Sequence, residues 1–249
     1  AVAAVVVGAT TSFFSDTETS TGNTFTAGAI DLTIDSHATF NGADVPDATW
    51  ALKDLEPTAD KFFNFADVKP GDVGENTISL HVENNDAWAC VSIIPTKNDD
   101  VSSTEPELEV AGETQNTDSI YDGELAQNMQ FTIWADVAST SDAIPGDNKY
   151  ESQKGDRLLA QGAGPIVPTT YALATPAGNV FTGLVNDPID GTQTNYLGVE
   201  WSLPIATGNI VQTDTYQADV SFYVEQSRNN AGFVCPNVAP TNPHSLRLE

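Results

Sequence analysis

Basic residues are scarce in this chain: nine Lys and Arg stand against 35 Asp and Glu, for a formal charge of −26. That balance excludes nucleic acid and anionic membrane surfaces as partners, because both need clustered Lys and Arg. Histidine is nearly as rare. His37, His81 and His244 are the only three, and none falls in an HExxH or HxH spacing that would hold zinc. There is no GxSxG nucleophile elbow, no P-loop, no GxGxxG phosphate cradle and no Asn-x-Ser/Thr acceptor. With so few catalytic constellations, the sequence reads as that of a non-enzyme. No apolar run approaches the ~20 residues that a membrane helix requires, so no membrane partner is expected of the mature form.

What is present is a succession of short alternating runs between Gly, Pro, Asn and Asp clusters, the pattern of strands and turns. "AIDLTID" places Ile30, Leu32 and Ile34 on one face, and "NTISLHVEN" does the same with Ile78, Leu80 and Val82. "MQFTIWADV" aligns Met129, Phe131, Ile133 and Ala135, "NYLGVEWSLP" aligns Leu197, Val199 and Trp201, and "YQADVSFYVEQ" aligns Ala218, Val220, Phe222 and Val224. These predict antiparallel strands buried on one face. Helical periodicity appears only in short pieces, as around Trp50 to Phe65, where Pro57 interrupts it. The expected fold is one all-β sandwich domain with long polar insertions near 98–122 and 139–164.

The chain opens on "AVAAVVVGA", comprising Ala1, Val2, Ala3, Ala4, Val5, Val6, Val7, Gly8 and Ala9. The run fits the tail of a secretion signal, but no basic start and no Met precede it, so the numbering is expected to begin after a cut. Four Val and a Gly favour a strand over a helix. As a strand it would span roughly 30 Å, with Val2, Ala4 and Val6 facing one way and Val5 and Val7 the other. Both faces are apolar, as in a strand buried on both sides. Two readings follow. Either the strip is the first strand of its own sandwich, or it fills the incomplete sheet of a neighbouring molecule, a head-to-tail contact that propagates into a filament.

Two cysteines, Cys90 and Cys235, are either one disulfide of an exported protein or two buried thiols. A bond closing a loop of about 145 residues would stabilise by roughly 4–5 kcal/mol in the chain-entropy account. Acid-rich turns offer oxygen ligands of the kind that Ca²⁺ takes: Asp142, Asp147 and Asn148 in "DAIPGDNKYES", and Asp99 and Asp100 in "NDD". Neither segment matches an EF-hand. No cofactor is required by any motif, and Ca²⁺ is the one the loops would suit.

The segment "GATTSFFSDTETSTGNTFTAGAIDLTID" (Gly8 to Asp35) closely resembles the N-terminal region of the TasA/camelysin family, with its aromatic pair, polar S-D-T-E-T-S stretch, N-T-F-x-A-G and A-x-D-L strand. "DVKPGDVGENTISLHVENNDAWACVSI" and "QTDTYQADVSFYVEQSRNNAGFVC" are similar to further pieces of that family. Between them, 98–211 matches less specifically apart from "GELAQNMQFTIWAD". The resemblance implies a jelly-roll sandwich, secretion, and assembly into biofilm-matrix fibres or archaeal bundling pili through an N-terminal donor strand. It also implies that Cys90 and Cys235 pair. Residues 1–12 would be the donor, 13–24 a hinge with Phe13, Phe14, Ser15 and Asp16 at its start, and 25–249 the sandwich. The partners implied are the adjacent subunit and, laterally, other filaments, whose like-charged surfaces would approach under the control of salt or divalent cations. Camelysins have been classed as metallopeptidases, an activity not carried over here because zinc-ligand spacing is missing. In bacterial members the signal is cut close to the aromatic pair, whereas Ala1 to Ser12 precede it here; archaeal bundling pilins are more similar in this respect.

Overall fold

The computed structural model describes residues 15–19, 30–110 and 119–237. Ala1–Ala9, Phe13 and Phe14 therefore lie outside the described residues. The alternating runs form strands as expected: β1 (Ser15–Thr19), β2 (Asp31–Phe40), β3 (Ala43–Asp44), β4 (Trp50–Lys53), β5 (Val73–Glu83), β6 (Ala87–Asp100), β7 (Gln130–Asp136), β8 (Arg157–Ala163), β9 (Thr169–Thr175), β10 (Gly178–Asn179), β11 (Asn195–Ser202) and β12 (Asp214–Gln226). Two one-turn helices, α1 (Glu105–Leu108) and α2 (Leu125–Asn128), stand in the connection between β6 and β7. Among the described residues no helix is long and apolar enough to cross a membrane.

The strands make two antiparallel sheets that face each other as a sandwich. The first runs β1-β12-β6-β9-β10, and the second runs β3-β2-β5-β11-β7-β8, with β4 also on β2. Asn41 and Gly42 join β2 to β3 with φ of 49° and 78°, the left-handed pair that a two-residue hairpin demands. The predicted inward residues form the core. Leu32, Ile34, Leu80, Phe222 and Val224 are entirely buried, as are Ile78, Val82 and Leu197 to within a few per cent. Cys90 on β6 is bonded to Cys235, which ties the segment after β12 back to the first sheet.

Two expectations change. Ser15 and Asp16 do not turn as a hinge would; they open β1, pairing with Glu225 and Val224 of β12. Short polar strands are tolerated at a sheet edge, where one side of the backbone meets water. The excursion near 139–164 is irregular only as far as Asp156, beyond which Arg157–Ala163 pair with β7 as the outermost strand of the second sheet. The stretch from Trp50 to Phe65 forms no helix. It begins as β4 and continues as an irregular segment that puts Phe62 against Phe222 and Phe65 between Phe40 and Trp201.

Candidate functional site

The facing sheets do not close on each other along their whole length. Between them lies a cavity of about 1300 Å³. Its walls come from both layers: Val91 and Ile93 of β6, Tyr171 of β9, and Tyr216, Ala218 and Val220 of β12 on one side; Phe131 and Ile133 of β7, Leu197, Val199 and Trp201 of β11 on the other. The irregular segment from Lys61 to Pro70 borders it, and Leu125 and Met129 add apolar surface where α2 runs into β7. Alternation explains the lining. The same parity that buries Phe222 and Val224 in one half of β12 aims Val220, Ala218 and Tyr216 into the cavity in the other half, where they remain only partly covered.

β12 changes neighbours along this line. On one side it pairs with β6 throughout, with a register shift between Gln217 and Ala218. On the other side β1 covers Ser221 to Glu225. Among the described residues no strand pairs with Asp214–Asp219 on that side. The cavity borders this stretch of β12, so among the described residues backbone without a strand partner on that side and partly covered apolar side chains such as Ala218 are found together. Tyr216 crosses the cavity wall, its ring edge-on to Phe131 and its hydroxyl donating to Pro165 O at 2.7 Å. Burial pushes its ionisation well above the usual tyrosine range.

At the far end of β12 the polar residues gather. Asp214 lies directly opposite Asp100 in the β12–β6 register, and carboxylate oxygens of Asp100, Glu107 and Asp214 fall within 4.8 Å of one another. Donors surround them: Ser103 donates to Asp100, the Thr104 N–H to Glu107, and the Glu124 and Leu125 N–H groups to Asp214 Oδ2 at 2.6 and 2.8 Å. Burial raises the Asp214 carboxyl to about 7, against the pull of those two N–H donors, and the carboxylates of Glu107 and Asp100 push in the same direction as burial. Thr213, just before, holds φ of 73°, a left-handed conformation that is costly for a β-branched residue.

The candidate ligand residues separate. Asp100 joins this cluster while Asp99, one position away on the strand, is ion-paired with Lys97 at 2.6 Å. Asp142 is exposed and accepts a hydrogen bond from the Thr140 hydroxyl, which holds its carboxyl below the usual range. Asp147 and Asn148 belong to a loop over the outer face of the second sheet, where Asn148 meets His37 at 3.3 Å.

That outer face carries residues the alternation pattern did not single out. Glu75, Thr77, Ser79 and Trp134 are all buried there. Burial raises the Glu75 carboxyl to about 8; the Thr77 hydroxyl opposes the rise, while Glu200, Asp136 and Asp147 reinforce it. Burial likewise raises Asp136 to about 6, with the Gly146 N–H opposing and Asp156 and Asp147 reinforcing. Carboxylates drawn inside a fold by loops leave no periodic trace, and the only signal was the acid-rich loop itself. Compared with protein-family models, with curated proteins and with solved structures, the chain shows no match.

Proposed function

We propose that this chain is the structural subunit of a secreted filament, polymerised head-to-tail when Ala1–Ala9 of one copy enters the cleft of the next. The observation that carries the reading is the pairing of an apolar cavity with a stretch of β12 edge that no described strand covers. Such a site needs an occupant that offers both backbone hydrogen bonds and small apolar side chains on both faces. The strip from Ala1 to Ala9 has that composition. Four buried Val at ~1.5–3 kcal/mol each, with ladder bonds at ~1 kcal/mol net, outweigh the ordering cost of the strand. The occupied cleft extends the row already begun by β1, so donor and host share one strand of the first sheet. Lateral bundling of such filaments follows from the acidic surface once salt or divalent cations screen it.

The test is deletion of Ala1–Ala9, followed by negative-stain microscopy and thermal unfolding with and without synthetic AVAAVVVGA peptide. A truncated chain that stays monomeric, and that the peptide stabilises, supports the donor strand. Filaments that persist after deletion place assembly on another surface. Loss of the monomer fold, with peptide restoring monomers alone, assigns the strip to its own sandwich. A casein-cleavage assay on the purified full chain separates this reading from a secreted hydrolase.

A further inference from the structure

β12 gives its cleft a direction. It runs from Asp214 to Gln226, and β1 lies beside its second half with Ser15 opposite Glu225 and Thr19 opposite Ser221. The stretch Asp214–Asp219, which no described strand pairs on that side, therefore lies beyond the Thr19 end of β1, whereas the chain enters β1 at the other end, at Ser15. Every strand pairing among the described residues is antiparallel, and parallel ladders are slightly less stable per residue. A strand that continues the row of β1 in the prevailing sense has its first residues next to Thr19 and its last ones at Asp214.

Reach decides where such a strand comes from. Five residues, Thr10–Phe14, join Ala9 to Ser15. Fully extended, they let Ala9 stand no more than about 22 Å from Ser15. With the whole strip seated antiparallel, Ala9 lies level with Asp214 or beyond it, because β1 already holds the positions from Ser221 onward. Asp214 and Glu225 are about 36 Å apart along the strand. The strip cannot reach that seat in its own molecule, and a second copy can supply it. We infer that the donated strip enters antiparallel to β12, with Ala1 toward the host's Thr19 and Ala9 toward the host's Asp214. The proposal rests on the filament reading and gives it a polarity. The short linker places the donor's Ser15, and with it the donor's Glu225, just past the Asp214 end of the host. Successive β12 strands then follow one another in the same sense, tail to head. A parallel seat has no such consequence: there Ala9 comes level with Val220, about 17 Å from Glu225, a span that Thr10–Phe14 can cover within one molecule.

The test uses the full chain with one cysteine on the strip and one on β12, in four variants. Two carry the pairs that the antiparallel seat brings together: Ala3→Cys with Asp219→Cys, and Val7→Cys with Thr215→Cys. Two carry the pairs that a parallel seat would bring together: Ala3→Cys with Thr215→Cys, and Val7→Cys with Asp219→Cys. Each is allowed to assemble, treated with a short bismaleimide, and run on a denaturing gel with Cys90–Cys235 left oxidised. Thr215 and Asp219 stand about 13 Å apart along the strand, which the linker resolves. Ladders of covalently joined chains from the first two variants, and none from the other two, are expected. Ladders from the other two alone overturn the polarity and keep a donated strip. Cross-links confined within single chains, seen as monomers of shifted mobility, overturn the polarity and the filament reading together. No cross-link in any variant takes the strip away from β12 and overturns both as well. Each arrangement is read from two pairs, so one variant that fails to assemble still leaves the result decided by the other.

Discussion

Trp134 fills the space that a side chain at position 198 would occupy: a Cβ built on Gly198 would fall 2.1 Å from its Cε2. The two residues are paired across β11 and β7, and the arrangement recurs where Trp201 lies over Gly74, 2.4 Å from the corresponding Cβ position. Each glycine makes room for an indole on the next strand. Gly198→Ala should therefore displace the ring in a central strand and cost about 1–3 kcal/mol, the usual range for overpacking. A lowered melting temperature with an altered near-UV dichroism is expected; an unchanged melting curve would mean that Trp134 has another place to go.

Ala218 is the small cavity-lining residue of β12 in the stretch that no described strand pairs on the β1 side. Ala218→Asp puts a charge where the donor's valines would pack, and burying an unpaired carboxylate is strongly unfavourable. Because the side chain is only partly covered in the single chain, the monomer should melt within a few degrees of wild type. Electron micrographs should show no filaments. Abundant filaments from this variant would exclude the cleft as the assembly site.

Stability should fall with rising pH over a defined window. The Asp214 carboxyl is raised to about 7 in the folded chain, from an ordinary value of 3.8. Between those values the folded state binds more protons than the unfolded one, so its stabilisation is complete below about 4 and lost as pH rises toward about 7. Asp214→Asn should flatten this part of the profile relative to wild type, measured by thermal unfolding in EDTA between pH 4 and pH 8. Parallel slopes in the two proteins would show that Asp214 ionises normally.

The strands were legible because one buried face imposes a period of two. Ile30, Leu32 and Ile34 in one run, and Leu197, Val199 and Trp201 in another, are all buried as the alternation requires. The second buried face was not legible. Glu75, Thr77 and Ser79 look like the solvent side of β5, yet all three are buried in the folded chain. The two adjacent acids show the same limit in miniature: sequence proximity grouped Asp99 with Asp100, and the strand's alternation sent one to Lys97 and the other to Glu107 and Asp214. Nor does a periodic pattern report a cavity, since Ala218 and Val220 read as core positions whether or not something covers them.

The Cys90–Cys235 bond should matter most for the segment after β12. Phe233 is buried two residues before Cys235 and stacks on Tyr223 at 6.2 Å. Cys235→Ser removes the constraint on a loop of 145 residues, an effect of roughly 4–5 kcal/mol by chain entropy. Lower stability and faster proteolysis beyond Gln226 are the expected results. Equal stability of the variant and the oxidised protein would show that packing alone holds this segment.

All thirteen residues of β12 are paired with β6, and Cys90 of β6 is covalently joined to the end of the segment that follows β12. Tension applied along β12 thus cannot unzip the ladder one bond at a time; it must slide the whole strand past its neighbour, breaking many hydrogen bonds at once. A strand seated beside β12 in the proposed polymer would load the same ladder in shear. The mechanical strength of such a thread would be set by β12 and β6 together, with the disulfide limiting how far the chain can be drawn out once they slip.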